Sequence, residues 1–186
     1  MLATTDGGYV LVCDAYDYFS DNSWMIKTDA AGNEVWTYRF EGAALSAAEA
    51  SDGGYVIAGN TRRIDDGLID SLLLKVDRDG TKVWERKFGT AGKGWLKFVA
   101  GTNEGGFIVG GFASDVNYDY WLIKTDANGQ PIWQRTFDKG EPDDEAYAVI
   151  QTFEGGYLLA GTSGNKIWLV KTNATGTKEW DKIIGD

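Results

Sequence analysis

The chain has 186 residues, enough for one domain with its own core, and a formal net charge of −10 at pH 7. This acidity argues against a nucleic-acid partner, because a phosphate backbone requires a basic surface. The chain contains no histidine, which excludes Ser-His-Asp and Cys-His catalysis and removes the commonest transition-metal ligand.

No stretch of 18 apolar residues predicts a membrane-spanning helix, so membrane insertion is not expected. The first ten residues, MLATTDGGYV, lack the basic start and apolar centre of a signal peptide. The single cysteine, Cys13, cannot form an internal disulfide. These features leave the cellular compartment open.

Three anchors recur four times along the chain, and their spacing of 47 to 49 residues between lysines or between tryptophans suits propeller blades or helical arrays. Each repeat has an acidic residue followed by two glycines and an aromatic residue, then a lysine, then a tryptophan. The anchors are 6–9, 52–55, 104–107 and 154–157; Lys27, Lys75, Lys124 and Lys171; and Trp36, Trp84, Trp133 and Trp180.

Each repeat predicts four short strands in the same order. A first strand, such as 146–152, precedes the glycine pair, which forms a tight hairpin turn. The second and third strands follow, and then a turn that opens with Asp or Asn and closes with Gly. The fourth strand carries the anchor tryptophan. No segment has a helical period, so the predicted fold class is all-β. The second strands are 9–13, 55–59, 107–111 and 157–161, and the third strands are 24–28, 72–76, 121–125 and 168–172.

The second and third strands are apolar on both faces. In the third repeat Trp121 and Ile123 point one way and Leu122 points the other. A strand buried on both faces belongs to a sheet that is covered on both sides. This favours a β-propeller over a sandwich. We expect a single domain, 1–186, with four-stranded blades at about 1–42, 43–90, 91–140 and 141–186.

These residues resemble a widespread class of bacterial and archaeal surface propeller repeats, whose pattern reads roughly SDGGYIVAG, a loop, and then DxWLIKTDxxGxxxW. The segment WLIKTDANGQPIW, 121–133, follows that pattern closely, and the match covers nearly the whole chain. The DxxGxxxW part is also similar to the tryptophan-docking motif of quinoprotein-like propellers. The resemblance implies extracellular or cell-surface display and binding more often than catalysis.

Four blades close a ring alone only with strongly twisted sheets, whereas two copies could form an eight-bladed ring. The blade faces at the two ends would be large apolar patches, and such patches usually mark an interface. We therefore expect a homodimer in preference to a monomer of 20.4 kDa.

The repeated residues are predicted to be structural. Leu72 replaces the tryptophan that opens the third strand of the other repeats, a change that packing tolerates and ligand stacking does not. The repeated lysines are expected at blade edges, paired with a carboxylate or lying over an aromatic ring. The tryptophans and glycines assigned to the frame are Trp36, Trp84, Trp133, Trp180, Gly8, Gly54, Gly106 and Gly156.

The segments between the second and third strands, 14–22, 60–70, 112–119 and 162–165, differ in length and are predicted to be loops. Binding residues on rigid frames usually lie on such loops. In sugar-binding sites carboxylates hold hydroxyl groups or Ca²⁺, and aromatic rings stack on the apolar faces of sugars, so aspartates interleaved with aromatic residues suit such a site. An acidic, solvated rim would have the same composition. The candidate ligand-binding residues are Asp14, Asp17, Tyr18, Asp21, Asp65, Asp66, Asp70, Trp95, Asp115, Tyr118 and Asp119.

The sequence therefore favours a non-catalytic binding or scaffold module whose loop-rich face binds a glycan or a protein, with Ca²⁺ as the one cofactor considered. The alternative is a glycoside hydrolase or lyase that uses two loop carboxylates. A third hypothesis is quinone-dependent oxidation, which the similarity to the tryptophan-docking motif suggests. We expect Asp119→Ala and Asp70→Ala to leave folding intact, and Trp133→Ala to cost roughly 3–5 kcal/mol.

Overall fold

The computed structural model of the chain describes residues 1–17, 20–62, 69–89, 94–114, 117–140 and 143–185, without the side chains of 14–17, 20, 21 and 62. All the described regular structure is β-strand. Within these residues no helix is long and apolar enough to cross a membrane.

Sixteen strands form four antiparallel sheets, each made of four strands that are consecutive in the chain. The first sheet contains β1 (Leu2–Ala3), β2 (Tyr9–Asp17), β3 (Ser20–Thr28) and β4 (Glu34–Glu41). The second contains β5 (Ala43–Glu49), β6 (Tyr55–Arg62), β7 (Ile69–Val76) and β8 (Lys82–Phe88). The third contains β9 (Gly94–Gly101), β10 (Phe107–Ser114), β11 (Tyr118–Thr125) and β12 (Pro131–Phe137). The fourth contains β13 (Asp144–Gln151), β14 (Tyr157–Ser163), β15 (Lys166–Thr172) and β16 (Lys178–Ile184).

The sheets pack face to face in chain order. The first strand of each later sheet contacts several strands of the sheet before it, so β5 packs on the first sheet, β9 on the second and β13 on the third. Among the described strands no extensive contact joins the fourth sheet to the first. The architecture confirms the predicted all-β fold with four four-stranded propeller blades, arranged as an open series.

The strand pleat distributes the apolar residues between successive cores. Trp121 and Ile123 lie in the core between the second and third sheets, together with Val109 and Leu96. Leu122, the residue between them in the chain, lies in the core between the third and fourth sheets. This alternation confirms the prediction that the third strand is buried on both faces.

The turn between the third and fourth strands of each blade depends on an Asp or Asn side chain. In the first blade one carboxylate oxygen of Asp29 accepts hydrogen bonds from the backbone N–H groups of Ala31 and Asn33, both at 2.9 Å. Gly32 closes this turn with a φ of 84°, a conformation that glycine adopts without strain. Asn173 makes the corresponding bonds to Thr175 and Thr177 in the fourth blade.

The anchor tryptophans of the first three blades lie over the turn of the next blade. The indole N–H of Trp36 donates to the carbonyl oxygen of Arg78 at 2.9 Å. A Cβ placed on Gly80 would lie 2.7 Å from that indole, so the contact requires glycine. Trp84 covers Gly129 and Trp133 covers Gly176 in the same way. The repeated tryptophan and the repeated turn glycine therefore form one contact between neighbouring blades.

The buried hydrogen bonds at the blade junctions are only partly shared, since the Ser23 bond of the first junction recurs at the second between the Ser71 hydroxyl and the carbonyl oxygen of Gly94, at 2.8 Å. Between the first and second sheets the Ser23 hydroxyl donates to the carbonyl oxygen of Gly42 at 2.6 Å. Between the second and third, the Asn60 amide accepts from and donates to the backbone of Leu96, at 3.0 and 3.2 Å. Between the third and fourth, the Tyr120 hydroxyl donates to the carbonyl oxygen of Trp168 at 2.9 Å.

The predicted loops between second and third strands are shorter than expected. The segment 14–22 is mostly strand, because β2 continues to Asp17 and β3 begins at Ser20. Likewise β6 reaches Arg62 and β11 begins at Tyr118. The prediction of a loop at these positions was wrong, since their alternating polar and aromatic residues suit an antiparallel hairpin.

Candidate functional site

At one end of the blades, which we call the turn end, the repeated lysines pair with carboxylates. Lys27 Nζ lies 2.9 Å from Asp6, and Lys124 Nζ lies 3.2 Å from Glu104. Lys124 also lies over the ring of Tyr157. These contacts confirm the predicted pairing. Lys27 and Lys75 are buried, and a Cβ placed on Gly8 of the glycine turn would lie 2.5 Å from Lys27 Nζ.

Two concavities open at the turn end. One, of about 390 Å³, lies between the first and second blades and is lined by Lys27, Trp36, Tyr55 and Arg78 among others. The other, of about 450 Å³, is lined by the glycine turns around Gly53 and Gly105. Their linings include the repeated lysine, tryptophan and glycines, together with residues such as Glu49 and Arg78 that the other blades do not repeat. We attribute them to the packing of the frame.

At the opposite end, which we call the loop end, three rings of the third blade form an aromatic group consisting of Trp95, Phe112 and Tyr118. The centroids of Trp95 and Phe112 lie 5.1 Å apart, and those of Phe112 and Tyr118 lie 4.7 Å apart. Phe112 is buried, whereas Trp95 and Tyr118 are partly exposed. Two of the three rings are therefore accessible to a ligand.

Three carboxylates form an acidic group at the same end. Asp119 lies on β11, Asp138 follows β12 and Asp144 begins β13, and one oxygen of each lies within 4.8 Å of the other two. Asp119 is partly exposed and Asp138 is exposed. The group therefore extends from a buried carboxylate to the surface.

A backbone contact joins the third blade to the fourth near these two groups. Tyr118 and Asp143 form an isolated parallel β-bridge. Because Asp119 follows Tyr118 and Asp144 follows Asp143, this bridge holds the start of β11 beside the start of β13. Both groups thus include a residue at the start of β11, where Tyr118 and Asp119 are consecutive and their side chains leave the strand on opposite faces. We call the two groups together the loop-end site.

Asp144 is the buried member of the acidic group, with a relative exposure of 0%. Its Oδ2 accepts a hydrogen bond from the backbone N–H of Lys139 at 2.7 Å. Its buried Oδ1 has no hydrogen-bond partner among the described residues. Burial, and then the charge of Asp144, raise the pKa of the neighbouring Tyr120 phenol above its ordinary value of 10.0.

This arrangement suits a cation or a polyhydroxylated ligand. Ca²⁺ binds six to eight oxygens at about 2.4 Å, so two opposed ligands of one ion lie about 4.8 Å apart. The mutual distances of the acidic group fall within that limit. A buried carboxylate oxygen without a partner is costly, and a bound cation or hydroxyl would remove that cost.

Of the predicted ligand-binding residues, the structure brings together Trp95, Tyr118 and Asp119 in the loop-end site. Asp70 instead lies on the second sheet, and its carboxylate is 3.8 Å from Lys87 Nζ. Asp14, Asp17 and Asp21 lie on β2 and β3, but their side chains are outside the description. Tyr18, Asp65, Asp66 and Asp115 lie outside the described residues.

The sequence analysis missed Phe112, Asp138 and Asp144. Asp138 and Asp144 belong to the segment 138–145, which reads as a solvated linker because of its charge. The strand β13 begins at Asp144, two residues before the predicted start. That extension, which brings Asp144 beside Asp119, has no signal in the hydrophobic pattern.

No model of a known protein family matches the chain, and no curated protein matches it. A solved structure with a similar fold is the crystal structure, at 1.35 Å resolution, of a protein of unknown function from Bacteroides caccae. It has a TM-score of 0.60 and 11% sequence identity, and the match covers 94% of this chain. The chain spans 58% of that protein's length. The likeness concerns the fold alone.

Proposed function

We propose that this protein is a non-catalytic β-propeller module that binds a carbohydrate at its loop-end site. In this proposal Trp95 and Tyr118 stack on the apolar face of a sugar ring. The carboxylates of Asp119, Asp138 and Asp144 hold its hydroxyl groups, either directly or through Ca²⁺. Display at the cell surface is what the resemblance to surface propeller repeats implies.

The observation that supports this proposal is that partly exposed aromatic rings and three clustered carboxylates occur at the same end of the third blade, near the Tyr118–Asp143 bridge. Accessible rings next to oxygen ligands are the combination that sugar binding requires. The frame does not need this combination. Asp119 is five residues before the repeated lysine, where the first and fourth blades have Asn22 and Lys166.

The chemistry of the acidic group favours Ca²⁺ over a transition metal. Its ligands are carboxylate oxygens, and hard cations prefer oxygen. Three carboxylates supply three to four of the six to eight oxygens that Ca²⁺ takes. Backbone carbonyls, water or sugar hydroxyls would supply the remainder. The ion would thus screen the three negative charges, and its remaining coordination positions would be open to a ligand.

Titration of the purified chain with CaCl₂ in thermal melts, followed by a carbohydrate array with and without Ca²⁺, tests the proposal. We expect Ca²⁺ to raise the melting temperature, EDTA to reverse the change, and one class of oligosaccharide to bind. Asp138→Asn should abolish the response to Ca²⁺ without affecting folding, because Asp138 is exposed. Tyr118→Ala should reduce sugar binding and leave the response to Ca²⁺ in place.

Asp70→Asn is the matched control for Asp119→Asn, because both residues stand five positions before a repeated lysine. We expect Asp119→Asn to lose the response to Ca²⁺ and Asp70→Asn to retain it. If neither Ca²⁺ nor any sugar changes the wild-type melt, and the array shows no binding, the proposal is wrong. Equal loss in both variants would also contradict it.

Hydrolysis of a glycoside is the second candidate, and one observation favours it. Asp119 and Asp144 carry oxygens within 4.8 Å of each other, near the separation of about 5–5.5 Å between the carboxyl groups of retaining glycosidases. Release of reducing sugar from the bound oligosaccharide, lost in Asp144→Asn, would establish this activity. Binding without release would support the non-catalytic module.

A further inference from the structure

The face of the first blade that points away from the second blade carries the residues Tyr9, Leu11, Trp24 and Ile26, and we call it the entry face. The corresponding residues of the later blades are buried by the preceding blade, with exposures of 0 to 5%. In the first blade Tyr9 is 40% exposed and the other three are partly exposed. The buried equivalents are Tyr55, Ile57, Leu72 and Leu74; Phe107, Val109, Trp121 and Ile123; and Tyr157, Leu159, Trp168 and Val170.

The fourth blade presents the opposite half of the same contact. Its outer face carries Leu158, Leu169, Trp180 and Ile184, and we call it the exit face. The corresponding residues of the third blade, Ile108, Leu122, Trp133 and Phe137, pack against the fourth blade. Trp180 is 41% exposed.

The residues that receive the anchor tryptophan are also present on the entry face. Gly80, Gly129 and Gly176 each lie against the tryptophan of the preceding blade, whereas a Cβ placed on Gly32 would have no described atom within 4 Å. Tyr55, Phe107 and Tyr157 pair with those tryptophans at 5.7 to 6.3 Å. Tyr9 is the corresponding aromatic residue of the first blade.

Trp180 already has the local arrangement of the docked tryptophans. Lys182 Nζ lies over its ring at 5.7 Å, as Arg86 and Arg135 lie over Trp84 and Trp133 at 5.5 and 5.6 Å. Two of the three docked tryptophans therefore share this cation–π contact with Trp180, and a side chain that already makes it loses less freedom on docking.

We propose that the exit face of one copy of this chain docks on the entry face of a second copy, with Trp180 seated over Gly32 and Tyr9 of its partner. The occupant is a second copy because one chain carries both complementary halves of an interface that it forms three times internally. Two copies related by a two-fold axis make this contact twice, so that both faces are covered and eight blades form a ring.

Charge sets the expected salt dependence. Each chain carries a net charge of −10, so two chains repel at low ionic strength, whereas the contact itself is apolar. Added salt screens the repulsion. Association should therefore strengthen as salt is added, unlike a contact made by ion pairs.

Light scattering coupled to size exclusion and sedimentation velocity measure the contact. We expect the wild type to have twice the 20.4 kDa mass of the chain. Trp180→Glu and Tyr9→Glu should each give a monomer with an unchanged circular dichroism spectrum, because both side chains are substantially exposed. Phe153→Ala is the matched control. It removes a fully exposed aromatic residue that lies on neither face, and it should leave the dimer intact.

Mixing the two monomeric variants tests the head-to-tail arrangement. Trp180→Glu retains an intact entry face and Tyr9→Glu retains an intact exit face, so the mixture should regain a species of dimer mass held by one contact. A wild type that stays monomeric at high salt overturns the proposal. So does a Trp180→Glu or Tyr9→Glu variant that is by itself a dimer, because its one intact face would then pair with itself.

Discussion

Trp133 and Trp180 occupy the same position in successive blades, yet their surroundings differ. Trp133 lies over Gly176 of the fourth blade and pairs with the ring of Tyr157 at 5.7 Å. Trp180 is 41% exposed. The role of this residue type therefore depends on whether another blade follows it in space.

We expect Trp133→Ala to lower the free energy of unfolding by about 3 kcal/mol, the lower end of the range for a large packed aromatic residue, because Trp133 is only partly buried. Chemical denaturation followed by circular dichroism measures the change. Ile132→Ala, on the same strand but exposed, is the control and should change stability by less than about 0.5 kcal/mol. Similar values for the two variants would contradict the packing role assigned to Trp133.

The packing residues could be predicted because a substitution at one position of the repeat shows what that position tolerates. Leu72 indicated a packing role for the residue that opens the third strand, and Trp168, its equivalent in the fourth blade, is fully buried. For the lysines the sequence predicted a carboxylate partner but not which carboxylate it would be. The sequence shows an acidic residue near each lysine, but Lys171 pairs with Glu179 on β16, at 2.8 Å, and not through a direct ion pair with Glu154 of the glycine turn.

At the scale of the strands and turns, the glycine turn of the second blade is tied to β7 by an ion pair. Asp52 accepts a hydrogen bond from Lys75, whose ammonium group is largely buried. This bond, together with the backbone N–H of Gly54, lowers the pKa of Asp52 below its ordinary value of 3.8. A carboxylate with a lowered folded-state pKa stabilises the fold above its ordinary pKa, and the contribution is lost as the pH falls through the folded value.

We therefore expect the stability of the wild type to fall as the pH drops below about 4, and Asp52→Asn to weaken that dependence. At pH 7 the substitution should cost about 1 kcal/mol or less, since the carboxylate is mostly exposed. Urea unfolding at several pH values measures both effects. Glu34→Gln, an exposed site at the start of β4, is the control. An unchanged pH dependence in Asp52→Asn would contradict the assignment.

The turns were easier to predict than the strand ends. An Asp or Asn followed three residues later by Gly specifies its own hydrogen bonds, as Asp29 and Gly32 show. The ends of β2 and β3 depend instead on cross-strand pairing, such as Asp17 with Ser20. Pairing of polar residues leaves no hydrophobic pattern, so the hairpins were predicted too short.

For the whole molecule, the repeat made the fold class and the four blades predictable, because three anchors recur at nearly constant spacing. The loop-end site was only partly predictable. Trp95, Tyr118 and Asp119 stood out by composition, whereas Asp144 joins Asp119 through the packing of the fourth blade on the third. A contact between residues 25 positions apart, made once among the described residues, has no periodic signal in the sequence.

The buried hydrogen bonds at the blade junctions bear on how the chain reaches its native state. Blades with the same apolar faces can dock out of order during folding, a known failure of repeat proteins. The Asn60 amide pairs with the backbone of Leu96, and the Tyr120 hydroxyl pairs with the backbone of Trp168. A misordered pair that left either buried group without a partner would be less stable, so these two bonds favour the native neighbour.

The yield of native protein after refolding measures how strongly these bonds favour the native order of blades. Asn60→Ala should leave more misassembled chain after dilution from denaturant than the exposed control Asn165→Ala, under conditions where equilibrium unfolding shows both variants to be native. Equal yields would mean that the apolar faces alone choose their neighbours. The polar bonds at the junctions would then contribute to stability without directing the order of assembly.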